Sequence, residues 1–575
     1  MNFIISNNNY CFDSFEEYYA IQISHNVTFR FLDDSILRYE KSKLNRLSFC
    51  LGTPLYEGVP FDDILGTVSA EFFNDNLDIS NLKGNFLFVF IKDEEITILS
   101  DRGRQHQLFY NKITGAVSNS LQLLVESNRN KYKLNKMALY ERIAIGFNLG
   151  EDTIFENIIA ITPKNKEILR RLNIHYLNQG IVNANKLVFH DSGKADSLNR
   201  QISVLSDYFK LIDQTFPMKS GDLGLSGGFD CRLLLALASQ NLTQKLHLHT
   251  HATAGVHEGQ GGYAEKLAQV YGAGVTKVET SSPLDLSDEE LEQMLYKNMV
   301  FFDGRSARHL GAYSQTYTAD YKSASMGHGY YSLNGLGGEI YRDSYFTGNK
   351  KMTWNEWASR YLFLELSYEI LPKDILHDLS AYLKKKILEE LPWDKSYFDM
   401  VFTHSYYGLL KMPQCNGNLV AAYNKVSPIL LPFVEPDNVV EALKAIPYFG
   451  IGGQYQAKMI KMISPDLAAV PTNYGGSFAS LSWKYLIWSK MKTMGSANRR
   501  QALVTKKLLS KAQSASFQRT LESIIQRPIL KSSLAKLADL VPGLNVNLAL
   551  VDSTQRRNLI FLSYLLHHNS NKITL

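Results

Sequence analysis

The sequence predicts a mixed α/β protein of two or more domains: a strand-rich first part, a parallel sheet with helices on its faces, and a helical, basic C-terminal extension. Three observations carry this expectation. The chain has 575 residues, more than one hydrophobic core usually organises. Residues 1–125 read as short strands separated by turns. From about residue 195, short apolar strands alternate with longer helical patterns, the pattern of helices packed on a parallel sheet.

Taken in order, FIIS and VTFRFL are the first strands, and GNFLFVFIKDEEITILSD is a hairpin whose two β-rich runs flank Lys92-Asp93-Glu94-Glu95. Residues 126–195, rich in Asn and Lys, link the two parts, with the boundary set to within about ten residues. Then come the strand and loop GDLGLSGG, the helix DCRLLLALASQ, the strand KLHLHTHAT and the helix YAEKLAQVYGAG. The predicted domains are 1–190, 195–480 and 481–575.

Composition narrows the function classes. Lys plus Arg number 61 against 56 Asp plus Glu, a near balance that gives no reason to expect a nucleic-acid partner. Cys11, Cys50, Cys231 and Cys415 form no C-x-x-C pair, which disfavours a zinc site or a disulfide framework. The N-terminus lacks a basic segment followed by an apolar one, and no stretch of about 18 apolar residues occurs. A soluble cytoplasmic protein is expected. A local basic bias runs through Lys484, Lys490, Lys492, Arg499, Arg500, Lys506, Lys507, Lys511, Arg519, Arg527 and Lys531, opposed by Glu522. It reads as solvated faces of amphipathic helices, or as a docking surface for an acidic carrier, an acidic leader peptide or an anionic membrane.

The chemistry is signalled by one loop. The strand Asp222-Leu223-Gly224-Leu225 runs into Ser226-Gly227-Gly228-Phe229-Asp230-Cys231-Arg232, and a helix follows at once. Glycines let the backbone approach a phosphate, the Ser226 hydroxyl adds a donor, and the next helix turns its free N–H groups toward the anion. Asp230 is placed to bind Mg²⁺ bridging phosphates. Neither G-x-x-x-x-G-K-[ST] nor G-x-G-x-x-G is present. An S-G-G alone is often a surface turn; the strand before, the helix after and the acid at the fifth position argue against that here.

This S-G-G-x-D loop resembles that of the ATP-pyrophosphatases, and other stretches resemble the asparagine synthetase and β-lactam synthetase family, which includes lasso-peptide cyclases. Asn334-Gly335-Leu336-Gly337-Gly338-Glu339 is similar to the family's second Mg²⁺-binding motif, with Glu339 at its acid, and Tyr345 falls at the following tyrosine. Leu431-Pro432-Phe433-Val434-Glu435, the run 439–447, and Lys458-Met459-Ile460-Lys461 before Pro465 and Pro471 continue the series. In the front half, Gly84-Asn85-Phe86-Leu87-Phe88-Val89-Phe90 and the run from Asp101 to Tyr110 resemble signatures of the family's glutaminase domain, with Ser118 and residues 152–156 at familiar offsets. The resemblance covers about residues 80–480. It implies an α+β N-terminal nucleophile-hydrolase-like sandwich, then an α/β parallel-sheet ATP-pyrophosphatase domain. The ATP and pyrophosphate set it implies is Leu225, Ser226, Gly227, Gly228, Phe229, Asp230, Cys231, Asn334 and Gly335, with the backbone near Ala254 reading adenine.

The pattern also breaks. A glutaminase of this kind uses an N-terminal cysteine whose own amine is the base, whereas this chain has Asn2, and Cys11 could not substitute without proteolysis. The first domain is therefore expected to lack glutaminase activity and to act as scaffold or docking platform. Cys231-Arg232 replaces the usual Ser-Ser, Leu336 replaces an acid, and Pro471-Thr472-Asn473-Tyr474-Gly475 stands where the family has R-x-K-x-G. The last change removes a fixed cation beside the reacting phosphate; Lys458, Lys461 and Arg342 are candidates to supply it. The expected activity is an AMP-forming, ATP- and Mg²⁺-dependent amide ligase that adenylates a small-molecule or peptide carboxylate and passes it to an amine, intramolecularly if it is a cyclase. Mg²⁺ would be held by Asp230 and Glu339, and Tyr345 is the candidate base. The rivals are an ammonia-dependent amidotransferase acting on a sugar acid or surface glycan, and a non-catalytic binding subunit. His247, His249, His251 and His257 could suggest a metal cluster, but three of them sit on the expected second buried strand, where the resembling family places its adenine pocket, and they read as part of it rather than as metal ligands.

Overall fold

A computed structural model describes residues 3–7, 18–24, 27–32, 38–41, 46–93, 95–127, 131–170, 174–178, 193–253, 258–280, 286–305, 319–326, 328–348, 350–364, 367–449, 452–472, 474–494, 506–507, 510, 521–546, 548 and 553–574. The architecture is mixed α/β, with a parallel-strand sheet and many helices.

The front half is built on two largely antiparallel sheets. One has six strands in the order Ile158–Ala160, Phe109–Asn111, Val117–Ser118, Phe3–Asn7, Val27–Leu32 and Tyr18–Ser24. The other runs Ile174–Asn178, Glu95–Ser100, Leu82–Lys92, Arg46–Tyr56 and Arg38–Lys41, with only its first pair parallel. The expected hairpin is present, Lys92 pairing with Glu95 across Asp93, which adopts a φ of 55°. Both faces of the strand Leu82–Lys92 are covered. Leu87, Val89 and Ile91 join Phe3, Ile5 and Phe49 in the layer between the sheets. The alternate row, Phe86, Phe88 and Phe90, faces a second apolar layer that includes the helix Ile64–Phe73, where Phe72 stacks on Phe90 at 3.9 Å between centroids. The period of two thus yields two buried rows instead of one buried and one wet.

The second half centres on five parallel strands ordered Val275–Thr280, His247–Thr253, Asp222–Gly224, Ser332–Leu333 and Ile429–Leu430. In chain order this is 3-2-1-4-5. The direction of winding reverses between Asp222–Gly224 and Ser332–Leu333, and in open parallel sheets ligands bind in the crevice at such a reversal.

A buried polar cluster joins the halves. Thr53 Oγ1 donates to Asn424 Oδ1 at 2.7 Å, Asn424 Nδ2 donates to Asn85 Oδ1 at 2.6 Å, and Asn85 Nδ2 donates to the Ile429 carbonyl at 2.7 Å. Beside it the Gly84 N–H donates to Glu435 at 3.0 Å, while Lys83 and Arg102 both pair with Asp437. The segment predicted as a C-terminal extension is helical, and its last helix, Ser553–His568, lies in the core. Leu559, Ile560, Phe561 and Leu562 are buried, Asn558 donates to the Arg142 carbonyl at 2.9 Å, and Ile573–Thr574 pairs in parallel with Tyr132–Lys133. Of its basic residues, Lys484, Lys490, Lys506, Lys507 and Lys531 are exposed and Arg527 pairs with Asp288. Arg499, Arg500, Lys511 and Arg519 lie outside the described residues. Among the described residues no helix is long and apolar enough to cross a membrane.

Burial at the junction pushes the Glu435 carboxyl up to about 7, against the pull of the Gly84 N–H and Lys83. A carboxyl with a raised folded pKa stabilises the fold fully below its unfolded value, and that contribution is lost as pH rises through about 7. Glu435→Gln, which fixes the neutral form, is expected to melt above the wild type at pH 8, with the gap closing toward pH 5. Thermal melts by circular dichroism check this; a gap independent of pH would rule out the buried titration.

Candidate functional site

The loop Ser226-Gly227-Gly228 begins where the strand Asp222–Gly224 ends. The Leu225 N–H still bonds the His249 carbonyl at 2.7 Å, so Leu225 belongs to the sheet edge and Ser226 is the first residue free of it. Gly228 caps the helix Phe229–Asn241 with no side-chain hydrogen bond, leaving that helix's first N–H groups without a capping side chain. The loop is closed on itself: the Ser226 hydroxyl accepts from the Gly228 N–H at 3.3 Å, and the Cys231 thiol meets the Ser226 carbonyl at 3.1 Å. Burial pushes the Cys231 thiol up, keeping it neutral beside a would-be anion. Arg232 is fully buried and donates to the carbonyls of Gly227, Leu467, Val470 and Pro471 at 2.7–3.3 Å, stacking on Phe478 at 4.6 Å. The Cys-Arg pair at 231 and 232 therefore fixes the loop's shape. The Phe229 ring packs into an aromatic wall with Phe478 and Tyr474 and lies 5.5 Å from the Arg342 guanidinium.

The second motif lies directly against this loop. Residues 334–339 follow the strand Ser332–Leu333, with the Asn334 N–H bonded to the Leu430 carbonyl and the Asn334 side chain accepting from Leu336 N–H at 2.9 Å. A Cβ on Gly335 would stand 3.0 Å from the Asp230 Cβ, and one on Gly338 only 2.1 Å from Asp230 Oδ1. Both positions thus admit Asp230 only because they are glycine. Gly337 adopts a φ of 90°, and a Cβ there would meet Val434 at 2.4 Å, which presses the motif onto the Leu-Pro-Phe-Val-Glu segment.

Arg342 stands between the two acids. Its guanidinium donates through Nη1 and Nη2 to both oxygens of Asp230, at 2.7 and 3.0 Å, and approaches Glu339 at 3.8 Å. Gln456 adds a donor to Asp230 at 2.9 Å, and Tyr407 donates to Glu339 at 3.0 Å. Burial raises the Asp230 carboxyl while Arg342 pulls it down. For Arg342 burial works against the charge, but Asp230 and then Glu339 outweigh it and raise the guanidinium further.

Asp230, Glu339, Asn334, Gly335 and the Ser226 loop are thus brought together, and of the three candidate cations Arg342 is the one at the acids. Lys458 and Lys461 are not brought there. Both are exposed on the helix Gln454–Ile463, Lys458 over the Phe449 ring and Lys461 on the Ala479 carbonyl. At 100° per residue, the face of that helix turned to Asp230 carries Gln456. Tyr345 packs edge-on against Tyr407 at 5.3 Å and against Tyr361 and His404, one ring removed from Glu339. Ala254, His257, Asn2 and Cys11 lie outside the described residues. His249 is buried, and His251 bonds the Tyr321 hydroxyl.

Sequence reasoning missed Gln456, Tyr407 and Lys411. The last two come from Tyr406–Asn416, a π-helix that sets the buried Lys411 ammonium 5.6 Å from the Tyr407 ring and 6.0 Å from that of Tyr345. A π-helix has no sequence period to find, although such turns recur at functional sites. No cluster of three or more His, Cys, Asp or Glu suited to a metal occurs among the described residues. Two carboxylates completed by phosphate oxygens are nonetheless an ordinary donor set for Mg²⁺, and Asp230 and Glu339 fit it once Arg342 releases Asp230.

Because Arg232 satisfies four carbonyls, Arg232→Lys, which keeps the charge but loses the fork, is expected to lower stability by about 2–3 kcal/mol. Urea denaturation measures this, and an unchanged midpoint would show the loop needs no such staple. A scan against models of protein families finds no match for this chain, and no curated protein matches it.

Proposed function

We propose that the chain is an ATP-dependent carboxylate–amine ligase, without glutaminase activity, that releases AMP and pyrophosphate. The observation that carries this is the convergence of the Ser226 loop and residues 334–339 at the reversal of the parallel sheet, with Asp230 packed onto Gly335 and Gly338. In this reading the front half is a nucleophile-hydrolase-like scaffold and the second half an ATP-pyrophosphatase domain.

The residues divide the work by position. The N–H groups opening the helix Phe229–Asn241, with the Ser226 hydroxyl, receive the pyrophosphate. Asp230 and Glu339 would hold Mg²⁺, which when bound neutralises phosphate charge. Arg342, beside both acids, is the cation in place of the missing lysine, and would stabilise charge on the phosphates as the carboxylate attacks the α-phosphorus. The acyl adenylate then meets the amine. Tyr345 is the candidate to take the amine's proton; its neighbour Tyr407 is held protonated by burial and by its bond to Glu339. Partners are a small or peptide carboxylate and an amine. The helix Trp483–Met494 exposes Trp483, Ile487 and Met491 beside Lys484 and Lys490, which suits a leader peptide, a carrier or an anionic surface.

Arg342's hold on both oxygens of Asp230 favours a second reading, a scaffold in which an arginine has permanently taken the ion's place. ATP–pyrophosphate exchange with Mg²⁺ over a panel of carboxylates separates the two. The ligase is expected to show exchange with at least one acid, to lose it in Asp230→Ala, and to lose at least 100-fold (about 2.7 kcal/mol) in Gly338→Ala, whose methyl displaces Asp230. No exchange together with no ATP binding by calorimetry would leave the scaffold. Arg342→Gln is expected to cut the exchange rate roughly 10²-fold while ATP still binds; full activity in that variant would remove Arg342 from the chemistry.

A further inference from the structure

A second cavity opens on the far side of the π-helix Tyr406–Asn416, between the two halves. Two arginines line it, one buried and one partly buried. Arg142, on the helix Lys136–Ile145, is 3% exposed. Its Nη2 donates to the Gly304 carbonyl at 2.7 Å, while its buried Nε has no hydrogen-bond partner. Arg305 comes from the other half and stacks on Phe109 at 4.9 Å; Nε pairs with Asp303 at 3.1 Å and Nη1 donates to Gln107 at 2.8 Å.

The charges of these arginines are not answered equally. Asp303 answers Arg305 and is itself held by the N–H groups of Leu121 and Gln122. Glu141 and Asp152 are both committed to Lys386, at 2.9 and 2.7 Å. No carboxylate lies within ion-pair distance of Arg142 among the described residues. Burial, and then the like charge of Arg305, depress its pKa to about 9. A buried guanidinium with a free donor, next to a second guanidinium, costs stability until an anion arrives. The remaining wall is amide-rich, with Gln107, Asn148, Gln414 and Asn418, which suits a ligand whose uncharged part is polar.

We propose that Arg142 and Arg305 form a binding site for a small organic carboxylate, separate from the candidate nucleotide site and independent of its assignment. A planar carboxylate matches the fork geometry of a guanidinium. It would also bridge residues from both halves, so its binding would stiffen their junction.

The test is calorimetric titration of the full-length protein with acetate and with glutamate at constant ionic strength, with inorganic phosphate in parallel. Saturable binding of a carboxylate that weakens at least tenfold in Arg142→Gln is expected. Tighter binding of phosphate than of either carboxylate would overturn the ligand class. No saturable binding, or equal affinity in the variant, would overturn the site. Should Arg142→Gln fail to fold, Cys415, which lines the same cavity, supplies the second measurement on wild-type protein. Its alkylation by iodoacetate, a carboxylate, should saturate with reagent concentration and be slowed by the carboxylate that bound. Alkylation that neither saturates nor is protected would overturn the proposal.

Discussion

The bidentate pair between Asp230 and Arg342 is the constraint around which the candidate site is arranged. Asp230 belongs to a loop held by Cys231 and Arg232, and Arg342 to the turn after the second glycine motif, 112 residues later. For the two to meet, the intervening backbone must pass within a methyl group's width of the carboxylate, and the glycines at 335 and 338 meet that demand. Glu339 and Gln456 then fall on the same pair from either side. With side chains 18% and 25% exposed, the pair is shielded enough to hold its geometry, yet open enough for a competing cation or phosphate to reach it.

That openness separates the site from the polar contacts joining the two halves. At the junction, Thr53, Asn85 and Asn424 satisfy one another in the dry interior, and the alternative to each bond is an unpaired buried amide. Such contacts specify one docking geometry. The front half thereby fixes the strand Ile429–Leu430 and, through Glu435, the segment that Gly337 rests against. A domain expected to serve as scaffold thus has a concrete mechanical role, bracing one wall of the crevice.

Much of the frame was legible because its signals are local. Period two marked FIIS, VTFRFL and the hairpin, and glycines marked both loops. What escaped was set by distant contacts. Lys458 and Lys461 looked as suitable as Arg342 for the missing cation, because sequence gives a residue's charge but not which face of a helix packs inward. Gln456, with no charge, faces Asp230 because Tyr455, Ala457, Met459 and Ile460 are buried beside it and fix the helix's rotation. Tyr407 and Lys411 lie on a π-helix, whose wider turn breaks the 3.6-residue period by which a helical face is read. In the C-terminal segment the solvated basic faces were readable from the spacing of the lysines, and Lys484, Lys490, Lys506, Lys507 and Lys531 are exposed, but that the later charge-free run Leu559–Leu566 packs into the core depends on distant contacts.

The departures from the resembling family are connected physically. Pro471 opens the segment that departs from the family's pattern, and its carbonyl, with those of Leu467 and Val470 before it, accepts from Arg232. An arginine at 232 can be buried only if such carbonyls are offered, since its guanidinium needs several acceptors to offset desolvation. Asn473, at the position of the family's lysine, lies outside the described residues, while its neighbour Tyr474 packs tilted against Phe229, so the wall there is aromatic. A cation is still required beside two acids, and Arg342 stands there. The buried Arg232, the aromatic wall of Phe229, Tyr474 and Phe478, and Arg342 on Asp230 therefore form one connected set of contacts.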